Sequence, residues 1–131
     1  MVDLIDTIVY AGRLKDKSAL MSSSSGGAFT ALSDFFLKNG NAVVAAIYNY
    51  ENHTAEFKMI LDEEQRERAK GSKYMQSKPG DIYRKAYHWL MENPEKELPF
   101  VGMGCQSDGL RTFSEIKGIR DRAYIVDIIC H

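Results

Sequence analysis

The sequence predicts a single α/β domain, three-layer-like, with a mixed, mostly parallel sheet flanked by helices. Three observations predict it. Val43–Tyr48 and Ala123–Ile129 are nearly continuous apolar runs, as in strands covered on both faces. Two other stretches, from Ala28 and from Ile82, repeat apolar residues at helical spacing. The succession strand, helix, strand between residues 98 and 129 describes a parallel pair joined by a right-handed crossover.

Taken in order, Thr7–Leu14 contains Ile8-Val9-Tyr10-Ala11 and reads as a first strand at a sheet edge. Ser22-Ser23-Ser24-Ser25-Gly26-Gly27 follows. Serines cap free helix amides, and glycines permit an unusual backbone angle or the close approach of a ligand. The stretch is either linker or an anion site at a helix start. It carries neither Gly-x-x-x-x-Gly-Lys-Ser/Thr nor Gly-x-Gly-x-x-Gly. Ala28, Phe29, Ala31, Leu32, Phe35 and Phe36 then predict a helix of about twelve residues, stopped by Asn39-Gly40.

Val43–Tyr48 is the first buried strand. Glu51–Thr54 is a turn in which His53 is solvated. Phe57, Met59 and Leu61 alternate with Lys58 and Ile60 as a second strand with one wetter side. So short a link favours an antiparallel hairpin. Asp62 and Gln65 have capping-box spacing, ahead of a helix over 63–69 whose charges read as a solvated face. Gly71 ends it. Ser72, Lys73 and Tyr74 place a hydroxyl, a cation and an aromatic hydroxyl in one turn. Those groups suit a phosphorylated or planar anionic ligand, although a plain polar loop has the same composition. Pro79-Gly80-Asp81 opens a helix that buries Ile82, Tyr83, Ala86, Trp89 and Leu90 and stops at Asn93-Pro94. Leu98–Gly102 is a strand with Pro99 near its start. Leu110 and Phe113 mark a helix, Lys117–Arg122 a polar connector, and Ala123–Ile129 a strongly buried last strand.

Ligands in open α/β sheets gather beyond the carboxyl ends of the strands. Cys105 and Cys130 both follow such strands, so two parallel neighbours would bring them to one sheet edge. A helix N-terminus favours a thiolate. Cys105 therefore has three readings: an inert small side chain, a metal or cluster ligand, and a catalytic or redox thiol with His131 as the one histidine suitably placed as a base. His53 and His88 have no partner at ligand spacing.

Composition narrows the rest. The 131 residues are the size of one domain, with 17 basic against 18 acidic residues and a formal net charge of -1. That balance leaves no electrostatic footprint for nucleic acid. No apolar run is long enough to span a membrane. The acidic, polar N-terminus differs from a signal peptide, so a cytoplasmic setting is expected. Two cysteines make neither a disulfide framework nor a four-ligand cluster site. The strand-like ending at Cys130-His131 leads us to expect the N-terminal fragment of a longer protein.

Four ordered motifs carry a family resemblance across residues 25–131. They are Ser25-Gly26-Gly27 at a helix start, Gly71-Ser72-Lys73-Tyr74, Phe100-Val101-Gly102-Met103-Gly104-Cys105-Gln106-Ser107-Asp108-Gly109-Leu110, and the closing Cys130-His131. The chain resembles the beta subunit of coenzyme F420 hydrogenase/dehydrogenase and its iron–sulfur flavoprotein relatives. The resemblance implies an electron-transfer oxidoreductase module, the N-terminal half of a protein binding FAD and a [4Fe–4S] cluster. Cys105 and Cys130 would be cluster ligands. Ser25, Gly26, Gly27, Ser72, Lys73, Tyr74 and Gln106 would contact flavin or substrate. The implied partners are the missing C-terminal part, a redox partner protein or ferredoxin, and a second copy in a homo-oligomer. The chain departs from the family pattern at Met103-Gly104, where relatives have Thr-Pro, and it has no Cys-x-x-Cys segment. Neither cofactor is expected to bind fully to this fragment, which is expected to be inactive alone. A non-catalytic binding or assembly module on the same scaffold, linked to polysaccharide synthesis as many bacterial relatives are, is the alternative.

Overall fold

A computed structural model of the chain describes residues 6–71, 73 and 75–129. The elements run α1 (Lys17–Met21), α2 (Ala28–Lys38), β1 (Val43–Asn49), β2 (Thr54–Ile60), α3 (Glu63–Ala69), β3 (Ser77–Lys78), α4 (Ile82–Glu92), β4 (Leu98–Met103), α5 (Gly104–Lys117) and β5 (Ala123–Ile128). The five strands form one sheet in the order β3-β2-β1-β4-β5. Among the described residues only the β1/β2 hairpin is antiparallel; β2/β3, β1/β4 and β4/β5 are parallel. The α/β class with a mixed, mostly parallel sheet is thus the observed one.

Side-chain alternation divides the interior into two cores. On one face Val44, Phe57, Leu98, Phe100 and Ala123 pack under α4 and α5, through Ile82, Ala86, Leu90 and Leu110, with Ile119 just past α5 in the same core. On the other, Val43, Ala45, Ile47, Ile60 and Val101 pack under α2 and α3, through Phe36 and Ala69. The α4 stripe falls at Ile82, Ala86 and Leu90 with Trp89 packed against it, as its spacing predicts.

Local signals hold where they are local. The Asp62 carboxylate accepts from Gln65 N at 2.8 Å, and Gln65 Oε1 accepts from Leu61 N at 2.9 Å, so α3 starts on a reciprocal cap. Gly40 and Gly118 take the left-handed conformation just beyond α2 and α5.

Four expectations are corrected. Residues 7–15 form no strand: Ile8, Val9 and Tyr10 are exposed, and the segment touches the fold through Leu14, whose N–H donates to Gly26 O at 2.8 Å. The α2 face is displaced. Ala28, Ala31 and Phe35 are exposed, while Thr30 and Ser33 are buried. Ser33 Oγ satisfies itself by donating to Phe29 O at 2.7 Å. The α3 surface is not wholly solvated, because Arg66 is buried and pairs with Asp34 at 2.5 Å, tying α3 to α2. Finally, β5 is an edge strand, with Tyr124, Asp127 and Ile128 exposed. Beside it, the polar connector buries Ile119, and Arg122 donates to the carbonyls of Leu90, Asn93, Pro94 and Lys96.

Candidate functional site at the carboxyl edge of the sheet

The carboxyl ends of β1, β4 and β5 share one sheet edge, and the connections bring the predicted motifs to it. α2 ends beside the start of β4, where Lys96 Nζ donates to Asn39 O at 3.1 Å. The Ser25-Gly26-Gly27 end of α2 therefore lies toward the opposite, carboxyl edge. β2 begins opposite the end of β1, at Thr54 against Asn49, and Ser77 of β3 is in register with Ala55. The segment after α3 thus reaches the same edge as Cys105.

Cys105 is exposed at the second position of the fourteen-residue α5, where the positive end of the helix dipole meets solvent. Gly102 before it and Gly109 within α5 are required by packing. A Cβ on Gly102 would lie 2.7 Å from Phe100 Cε1 and 3.2 Å from Phe57 Cζ. Those two rings stack with centroids 4.8 Å apart. A Cβ on Gly109 would lie 2.7 Å from Tyr83 Oη. Tyr83 uses that access to donate to Gln106 O at 2.7 Å. Burial first, and then charge on Cys105, raise the Tyr83 phenol above its ordinary pKa.

Gln106 is buried, with both ends of its amide engaged. Nε2 donates to Ser77 O at 3.0 Å, and Oε1 accepts from Met103 N at 3.2 Å. Lys73 turns back on α3. Its ammonium donates to Ala69 O at 2.7 Å, Gly71 O at 3.0 Å and Lys70 O at 3.4 Å, at the negative end of that short helix. Burial lowers its pKa below the usual lysine range. Lys70 Nζ donates to Ser22 Oγ at 3.1 Å. The segment after α3 is therefore joined to the serine stretch on one side and to the Cys105 turn on the other.

The serine stretch departs from expectation. Gly27, left-handed at φ 79°, is the N-cap of α2 and supplies no side-chain bond to it. Ser25 is exposed at φ 52°. Ser23 instead bonds Ala19 O at 2.7 Å and Thr30 Oγ1 at 2.8 Å. The glycine pair is needed because residues 12–14 lie against it. Its Cβ positions would fall 2.6 Å from Gly12 O and 2.4 Å from Leu14 Cδ1. Beside it, Arg13, Leu14, Lys15, Lys17 and Leu20 line a cavity of about 270 Å³.

Cys130, Ser72 and Tyr74 lie outside the described residues, as does His131. In the parallel β4/β5 register Ile128, the last residue of β5, stands beside Met103. Among the described residues, no group of three or more His, Cys, Asp or Glu side chains could hold a metal ion. His53 is exposed, 2.9 Å from Tyr48 Oη through Nδ1, and His88 is exposed. The Tyr83–Gln106–Ser77 bridge escaped the sequence reading. It joins residues 23 and 29 positions apart, which no local pattern encodes.

Residues 9–81, more than half of the chain, match the family described as coenzyme F420 hydrogenase/dehydrogenase, beta subunit N-term. The chain belongs to the coenzyme F420 hydrogenase/dehydrogenase beta-subunit family. The matched span takes in both Ser25-Gly26-Gly27 and Gly71–Tyr74. The fold is also that of a chain in a xenon-derivatised F420-reducing [NiFe] hydrogenase complex from Methanosarcina barkeri, with a TM-score of 0.71 at 19% identity. That likeness covers 90% of this chain and 42% of the hydrogenase chain. No curated protein matches in sequence. This beta-subunit-family domain has no helix, among the described residues, long and apolar enough to cross a membrane.

Proposed function

We propose that these 131 residues are the N-terminal α/β domain of a longer electron-transfer oxidoreductase that works with FAD and a [4Fe–4S] cluster. The observation that carries this reading is convergence. The segments flanking two family motifs lie toward the sheet edge that carries the Cys105 turn, linked by Lys70–Ser22 beside the motifs and by Gln106–Ser77 beside the turn.

The residues suit the two cofactors unequally. The α2 N-terminus has no side-chain cap, and Arg13, Lys15 and Lys17 line the cavity beside it. Free amides, a helix dipole and cations fit a flavin's phosphates. Ser25, Gly26 and Gly27 would act there through backbone. Ser72, Lys73 and Tyr74 would meet the ring or substrate, Lys73 only after leaving its three carbonyls. Gln106 would contribute by holding the turn. When bound, flavin supplies the exchange between one-electron and hydride chemistry. A cubane cluster takes four thiolates, and Cys105 is the one described candidate. With Cys130 as the second, the cluster does not fit this domain alone, so two further ligands must come from elsewhere in the protein or from a redox partner.

Anaerobic reconstitution of the full-length protein tests the reading. We expect a flavin spectrum and about four irons per chain, with the iron lost in Cys105→Ser. Colourless protein holding neither would refute it. The second reading, a binding or assembly module on the same scaffold, draws on Lys73, whose donors are consumed within the chain. It requires Cys105→Ser to leave partner binding intact.

A further inference from the structure

The geometry points to Gln106 as a positioning residue that locks the approach to Ser77 onto the Cys105 turn, so that the two stretches are held as one unit. This rests on the reading of that edge as the cofactor site. A primary amide donates and accepts from one uncharged group, and Gln106 uses both capacities. Nε2 holds the carbonyl of Ser77, and Oε1 holds the amide of Met103 at the mouth of α5. Its own carbonyl receives the Tyr83 hydroxyl from α4. One residue, 7% exposed, thereby joins β3, the β4–α5 turn and α4.

The need for such a tie lies in β3. That strand has two residues and meets β2 at two register positions, Ala55–Ser77 and Glu56–Lys78. So short an edge element is weakly held by its own ladder. The Ser77 carbonyl bond is made by a buried side chain 29 positions away. Losing it would free the approach from Met75 to Lys78, directly after Gly71–Tyr74, while leaving the sheet intact.

Two substitutions separate the halves of the clamp. In Gln106→Glu the ionised carboxylate still accepts from Met103 N but cannot donate to Ser77 O, so exchange is followed at rising pH, where the buried carboxyl gives up its proton. In Gln106→Leu both bonds go. The readout is hydrogen–deuterium exchange of the cofactor-free 131-residue chain, resolved by peptide. A lost hydrogen bond of about 1 kcal/mol corresponds to about a fivefold faster exchange. We expect that acceleration over residues 75–78 in Gln106→Glu, with residues 103–107 unchanged, and over both stretches in Gln106→Leu. Unchanged exchange over 75–78 in Gln106→Glu would overturn the proposal, as would an even rise across the whole sheet. If the leucine variant does not fold, the glutamate variant decides alone. No cofactor enters this measurement, so its failure removes the clamp, whereas failed reconstitution removes the cofactor reading.

Discussion

At the scale of single residues, the glycines of the cysteine motif answer to aromatic neighbours. Gly109 sits inside α5, where alanine would be favoured by about 1 kcal/mol. Tyr83 Oη occupies the place of its missing Cβ. Adding that methyl should displace the phenol from Gln106 O, an overpacking cost of about 1–3 kcal/mol. Gly109→Ala is therefore expected to destabilise the chain by about 1 kcal/mol net, lowering its urea midpoint. In a Tyr83→Ala background the same change should raise the midpoint, because only the helix propensity remains. A loss of equal size in both backgrounds would show that Tyr83 is not the reason for the glycine. Gly104 differs: a Cβ there meets nothing within 4 Å, so packing does not demand it. Only the fold, which puts Gly109 inside α5 and Tyr83, 26 positions earlier, against it, supplies the cause.

At the scale of elements, β5 is the last strand in the sheet order and, among the described residues, joins it by one ladder. Tyr124 on that strand donates to Glu97 Oε1 at 3.2 Å, just before β4. The Glu97 charge, followed by that hydrogen bond, raises the Tyr124 pKa above its ordinary value. The charged form of tyrosine is the deprotonated one, so the folded chain holds this proton more tightly than the unfolded chain. The resulting stabilisation is present below about pH 10, the unfolded value, and is lost as pH rises through the folded value. Glu97→Gln should move the Tyr124 titration down toward about 10, read as the ultraviolet difference from matching Tyr124→Phe chains. An unmoved midpoint would mean that the contact does not form in solution.

The hairpin, the α3 cap, the α4 stripe and the β4–α5–β5 crossover were legible because each is encoded within a few turns of chain. The exposure of β5 was not: an apolar run looks alike in a central strand and at an edge. The same limit explains Ile8–Tyr10, apolar but without a strand to pair with among the described residues. It also explains Arg66, whose burial depends on Asp34, 32 positions away.

At the scale of the whole molecule, one sheet supports two cores, and the candidate site lies where elements from both faces meet. α2 and α3 approach that edge from one face and α5 from the other. The rule that ligands gather at strand carboxyl ends indicated the edge from sequence. The side-chain ties across it, Gln106 to Ser77 and Lys70 to Ser22, required the fold. Because β1 and β4 contribute to both cores through alternate residues, Val44 and Phe100 on one face and Val43 and Val101 on the other, neither core can come apart alone. The chain should unfold in a single cooperative transition. Trp89 packs against the α4/α5 core and reports on it. Phe29 packs against the other core, so Phe29→Trp in a Trp89→Phe background reports on the second face. Both fluorescence curves are expected to follow far-ultraviolet circular dichroism measured on the same chain, with one slope of about 1–3 kcal/mol per molar urea. Two separated midpoints within the Phe29→Trp chain, one by fluorescence and one by circular dichroism, would mean that the faces unfold independently, and the edge they share could not then act as one preformed site.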